Sequence, residues 1–179
     1  LTREAGGELA YAEYINEPNA ASMGRLPADY SVEDYTRDFA IFREWAAREV
    51  PDMLIVGPGG VGESRLNDIP IANLERLLLT ERLMEQSPGT VDAVSFHYYG
   101  AVSQRCAQVA SVSQADREQA LAQQWLERPE ADLAYYGGLR DRFEPGDPLW
   151  ITETAQAACG GSPWAATFLD SFRFVAQLG

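Results

Sequence analysis

The sequence predicts an α/β fold, a parallel sheet with helices packed outside it. Strand-like apolar runs alternate with segments whose apolar residues recur at helical spacing, in the order β-α-β-α-β-α-β-α. One run, Met53-Leu54-Ile55-Val56, is continuously apolar, as strands buried on both faces are. Two architectures fit this order: an open doubly wound sheet, or a piece of a (β/α)8 barrel. A complete barrel takes about 250 residues. A chain of 179 residues holding four βα units is about half of one.

Each element has a local reason. Residues 8–15, Glu-Leu-Ala-Tyr-Ala-Glu-Tyr-Ile, read as a strand that ends at the turn-prone Asn16-Glu17-Pro18-Asn19. Ser31-Val32-Glu33-Asp34 is a capping-box-like start. Tyr35, Phe39, Phe42 and Ala46 then keep helical spacing as far as Pro51. The strand 53–56 is expected to end in a turn at Gly57-Pro58-Gly59-Gly60. Ile71, Leu74, Leu77, Leu78 and Met84 mark a second helix, stopped by Ser87-Pro88-Gly89. Val91 to Tyr99 is a third strand, and 113–143 a helical stretch broken at Pro129. Pro148 to Thr152 is a fourth strand, and Ser162-Pro163 opens a last helix that runs towards Gly179.

Composition narrows the function classes. Hydrophobic residues make up 46%, aromatics 11% and charged residues 23%, which is globular rather than disordered. Net charge is −13, a field that repels phosphate backbones and anionic lipid heads. Neither nucleic-acid nor membrane partners are expected. No apolar run reaches membrane-spanning length. Every basic residue is Arg, which removes Schiff-base chemistry by Lys from this segment. One His and two Cys do not suffice for a His- or Cys-built metal site, so neither metal nor cofactor is expected. The start, Leu1-Thr2-Arg3-Glu4, has neither an initiator Met nor a signal-like segment, so the chain reads as the middle of a longer protein.

Gly57-Pro58-Gly59-Gly60-Val61-Gly62 matches nucleotide-binding patterns, but the chemistry does not follow. Glu63 stands where a phosphate loop needs Lys, and Arg65 to Pro70 reads as loop where a dinucleotide site needs a helix. Cys106 and Cys159 each follow a strand, and those strands are consecutive. In a parallel barrel the two loops are neighbours. A disulfide is within reach in an oxidising compartment, and two unrelated thiols are the other reading.

Glu17 and Glu153 stand out because each sits just beyond a strand. The C-terminal strand ends of parallel α/β folds face the active site. Two carboxyl groups flanking a sugar bond are the minimum equipment for glycoside hydrolysis.

The flanking residues sharpen this. Asn16-Glu17-Pro18 after a strand resembles the acid/base motif of clan A glycoside hydrolases, which are (β/α)8 barrels. In that clan this motif ends the fourth strand, and the nucleophile Glu ends the seventh. Here the Glu153 strand is the third after the Glu17 strand, the same interval. The blocks Tyr14 to Asn19, Val91 to Tyr99 and Trp150 to Thr154, followed by Gly160-Gly161, together resemble family 79, that of heparanase and β-glucuronidase. The resemblance covers essentially the whole chain, in the same order. It implies that 1–179 is a partial catalytic (β/α)8 TIM barrel, from strand four to helix seven, whose partner is the rest of its own barrel.

It also implies roles. Glu153 is the nucleophile and Glu17 the acid/base of a retaining mechanism. Asn16 bonds the hydroxyl beside the anomeric carbon. Tyr99 holds the nucleophile's carboxylate. His97 shares a strand face with Tyr99 and so either lines the pocket or is a structural residue. Gly160 and Gly161 offer backbone N–H groups to a uronic acid. The expected substrate is a glucuronic-acid-containing glycan or glycoside, cut by an exo-β-glucuronidase-like enzyme that is secreted or periplasmic. A Lys-free, acidic chain fits an endo-acting, heparanase-like enzyme less well. The rival readings are a clan A glycosidase on neutral sugars, of xylosidase or arabinofuranosidase type, and a non-catalytic carbohydrate-binding barrel.

Overall fold

The computed structural model describes residues 9–20, 26–27, 29–64, 78–102 and 122–158. Its elements are β1 (Tyr11–Glu13), α1 (Val32–Glu49), β2 (Leu54–Val61), α2 (Thr80–Gln86), β3 (Ala93–Val102), α3 (Gln123–Leu126), α4 (Arg128–Phe143) and β4 (Leu149–Ala158). The four strands form one sheet in the order β1-β2-β3-β4, and every neighbouring pair is parallel. The order never reverses, whereas a doubly wound sheet turns back at its switch point.

The sheet is curled, as contacts between its outer strands show. In a flat sheet β1 and β4 would lie three strand spacings apart, about 14 Å, with side chains perpendicular to the sheet. Instead Tyr11 of β1 meets Trp150 of β4 edge to face, with ring centroids 5.8 Å apart. Thr152 Oγ1 of β4 donates to Glu13 Oε1 of β1 at 2.6 Å. The strands therefore form a parallel half-barrel, and their inward side chains converge on the concave face.

The convex face carries the apolar core. Val94, Phe96 and Tyr98 alternate outward along β3 and pack with Met84 of α2 and with Tyr136 and Leu139 of α4. Phe96 and Tyr136 are fully buried and stack at 4.5 Å, worth roughly 0.5–1.5 kcal/mol beyond their buried area. A second cluster joins Tyr35 and Phe39 of α1 to Leu78, Leu83, Tyr14 and Ile55. The expected capping box opens α1. The Ser31 hydroxyl accepts from Asp34 N–H, and Asp34 accepts from Ser31 N–H. No helix among the described residues is long and apolar enough to cross a membrane.

Four sequence expectations need correction. Gly57-Pro58-Gly59-Gly60 is not a turn: β2 runs through it to Val61, with Gly59 bulged out of register against β3. Gly59 has φ +71, open to glycine at no steric cost. Likewise β4 continues to Ala158, so Glu153 lies within a strand and not beyond it. Leu78 precedes the second helix, which starts at Thr80. The break before α4 falls at Glu127, and Pro129 sits in the first turn of α4, where its missing N–H costs nothing. Residues 71–77 and the last helix lie outside the described residues.

Candidate active site

Odd-numbered residues of β3 point to the concave face, opposite the outward Val94, Phe96 and Tyr98. Ser95, His97 and Tyr99 therefore line one strip of it. Glu13 reaches the same place from β1, and Glu17 from the loop that follows. On β4 the register slips between Phe96 and His97, so that Phe96 pairs with Ile151 and His97 with Glu153. Thr152 is the extra residue. The bulge turns both Thr152 and Glu153 inward, where a regular strand would send one of them out.

The centre of the site is His97, which is fully buried. Its Nδ1 lies 3.0 Å from Glu17 Oε1 and 3.5 Å from Glu153 Oε2, and its Nε2 lies 3.3 Å from Glu13 Oε2. An ionised Glu13 only accepts, so Nε2 donates to it; with Nδ1–H turned to an oxygen of Glu17 as well, the ring is an imidazolium. Burial opposes that charge, but the hydrogen bonds to Glu13 and Glu17 outweigh it and raise His97 to about 9. Burial also works against the Glu13 carboxylate. Hydrogen bonds from His97 and Thr152 are among those that outweigh it and hold Glu13 below the ordinary carboxylate range.

The two principal carboxyls have different surroundings. Glu17 is buried, with 6% of its surface exposed. The Glu153 side chain is 41% exposed. Tyr99 donates its hydroxyl to Glu153 Oε2 at 2.6 Å. Burial, then the bond to Glu153, pushes the Tyr99 phenol well above its ordinary range, so it keeps the proton it donates. An oxygen of Glu17 and one of Glu153 lie within 4.8 Å of each other.

Glu17 sits in the left-handed region at φ +44, a conformation that costs a non-glycine residue roughly 1–3 kcal/mol. Two features hold it there. Ala20 N–H donates to Glu17 O at 2.9 Å, closing the turn. Asn19 bridges to the end of β2: its Nδ2 donates to Val61 O at 2.8 Å, and its Oδ1 accepts from Val61 N–H at 3.0 Å.

The structure thus brings Glu17, Glu153, His97 and Tyr99 together. Asn16 stands one residue before Glu17, exposed to solvent. Gly160, Gly161, Cys106 and Cys159 lie outside the described residues. Glu17, His97 and Glu153 offer three atoms a cation could share, all within 4.8 Å. An imidazolium with a proton on each nitrogen has no lone pair to give, so the set as protonated suits a proton network better than a metal.

Sequence reasoning missed Glu13, Thr152, Asn19 and Gly59. One signal was available: Glu is depleted in strands, so a Glu inside one asks for a buried partner. The bulges left no signal, because a bulge belongs to a pair of strands and not to one of them.

No family model matches the chain, and no curated protein matches its sequence. Solved structures do match its fold. A family 44 endoglucanase from Clostridium thermocellum aligns with a TM-score of 0.62 at 15% identity, covering 100% of this chain and 43% of that one. The family 51 arabinofuranosidase from Xanthomonas axonopodis pv. citri aligns with a TM-score of 0.54 at 17% identity, over 90% of this chain and 30% of that one. A family 44 xyloglucanase from Paenibacillus polymyxa, solved with xyloglucan, aligns with a TM-score of 0.53 at 14% identity, over 80% of this chain and 35% of that one. The chain has the fold of part of these glycoside hydrolases and spans less than half the length of each.

Proposed function

We propose that this chain supplies about half of the (β/α)8 barrel of a retaining glycoside hydrolase that acts on a neutral sugar. Glu153 is the nucleophile and Glu17 the acid/base. One observation carries the reading: two carboxyls in unlike surroundings meet on the concave face, an oxygen of each within 4.8 Å. Retaining enzymes hold their pair about 5–5.5 Å apart, and inverting enzymes about 6.5–9.5 Å, to admit a water.

In the first step an oxygen of Glu153 attacks the anomeric carbon. The bond to the leaving oxygen breaks, and the Glu17 proton goes to that oxygen. Tyr99 occupies Glu153 Oε2 and leaves Oε1 for the attack. In the second step Glu17 takes a proton from water, the water attacks the same carbon, and the bond to Glu153 breaks. In this reading Asn16, exposed beside Glu17, bonds the adjacent sugar hydroxyl. Cleavage of glycans in this way suits a secreted or periplasmic enzyme.

Electrostatics favours a neutral sugar over a glucuronide. Glu13, Glu17 and Glu153 already put three carboxyls around one imidazolium. A uronate would add another negative charge to a half-buried site. The endoglucanase, arabinofuranosidase and xyloglucanase whose folds match bear names of neutral-sugar enzymes. The glucuronide reading rests on Gly160 and Gly161 and is the competing outcome of the test.

The test compares nitrophenyl glucoside, xyloside, arabinofuranoside and glucuronide as substrates of the intact protein. A neutral glycoside is expected to turn over fastest, and preference for the glucuronide would restore the rival. Glu153→Gln should abolish hydrolysis of all of them. Glu17→Gln should still release nitrophenol in a burst, and azide should restore its turnover with retained configuration. Wild-type activity in both variants would end the glycosidase reading.

A further inference from the structure

We propose that Glu13 is a positioning residue of this site, binding His97 Nε2–H so that Nδ1–H is held towards Glu17 and Glu153, and tying the nucleophile's strand to that of the acid/base. This rests on the glycosidase reading above.

The site is built around Glu13. Its Oε2 accepts from His97 at 3.3 Å, and its Oε1 accepts from Thr152 at 2.6 Å. Thr152 is the bulged residue immediately before Glu153. The hydrogen bond therefore fixes the point where β4 departs from regular geometry to turn Glu153 inward. On the other side stands the bulged Gly59 of β2. A Cβ there would lie 3.2 Å from the Glu13 carboxyl carbon and from both its oxygens, so only glycine leaves this space open. Two bulges at one level of the sheet thus make room for one carboxylate and bind it.

The groups facing His97 come from each element around it: Glu13 from β1, Glu17 from the following loop, Glu153 from β4 and, through Glu153, Tyr99 on β3. Among them Glu13 bonds only Nε2, the nitrogen turned away from the reacting pair. Its charge keeps a proton on Nε2, which leaves the other N–H for the two carboxyls that do chemistry. With Glu13 neutral, nothing holds the Nε2 proton: the ring can lose it near neutrality, and the positive charge beside Glu17 and Glu153 is lost with it.

The test follows His97, the chain's single histidine, by NMR of the ring in the intact protein, together with the pH profile of kcat/KM. Wild-type His97 should bear protons on both nitrogens at pH 7 and titrate near 9. A neutral ring at pH 7 overturns the proposal without any variant. Glu13→Gln, which keeps size and an acceptor but removes the charge, should lower the His97 titration by about 1–3 units. The alkaline limb of kcat/KM should move down with it, roughly tenfold in rate per unit at pH above the new value. Glu13→Asp keeps the charge and should retain more of both. If the His97 titration in Glu13→Gln stays at its wild-type value, the proposal fails. It fails also if the titration moves and the rate profile does not. A wild type inactive on every glycoside would sink the glycosidase reading first, which the His97 titration alone would not do.

Discussion

Glu63→Gln should remove a pH dependence of stability that lies outside the candidate site. Glu63 is 2% exposed, in the turn after β2. It accepts from Thr80 N–H at 3.0 and 3.1 Å, from the Thr80 hydroxyl at 3.0 Å and from the Tyr135 hydroxyl at 3.3 Å. It thus satisfies the first N–H of α2, where Leu79 offers no side-chain cap. Burial nevertheless dominates and pushes Glu63 from its ordinary 4.5 up to about 7, against the hydrogen bonds from Thr80 and Tyr135. The folded state therefore binds this proton more tightly than the unfolded chain does. The stability this contributes is fully present below about pH 4.5 and is lost as pH rises through about 7. At about 1.4 kcal/mol for each pH unit between the two values, the loss is about 3 kcal/mol. Gln keeps the shape and an acceptor and carries no charge at any pH. Urea unfolding of the intact protein from pH 4.5 to 8.5 measures the effect. The stability of wild type minus variant should fall by about 3 kcal/mol across that range. Parallel profiles, or a difference that grows with pH, would show that Glu63 is ionised in the fold and refute the reasoning.

Two further substitutions test the packing. Ser31→Ala removes the hydroxyl side of the α1 capping box and should cost about 1 kcal/mol, read as a lower urea midpoint. Gly60→Ala would drive a Cβ into the Thr80 hydroxyl and to within 2.6 Å of Glu63 Oε1. It should cost about 1–3 kcal/mol, and an unchanged urea midpoint would contradict the contact.

Several features were legible because their signals are local. The Ser31–Asp34 capping box and the apolar spacing of α1 come from residues within one helical turn of each other. The placement of His97 and Tyr99 on one strip needs only the two-residue period of a strand. The pairing of Glu17 with Glu153 followed from the rule that parallel strand ends share a face, although Glu153 proved to lie within its strand.

Other features exist only between elements. The inward turn of Glu153 depends on β4 carrying one residue more than β3 between paired positions. The fit of Glu13 depends on the same slip in β2 at Gly59, which the sequence presents as a turn. Glu63, an obstacle to a phosphate loop in the sequence, is a buried anchor of α2 in the fold. Periodicity along a chain says which way a side chain points. It does not say which groups meet across strands 40 to 140 residues apart, such as Thr152 and Glu13 or Val61 and Asn19. Those meetings follow from which strands pair and from the curl of the sheet, which sequence local to either partner does not encode.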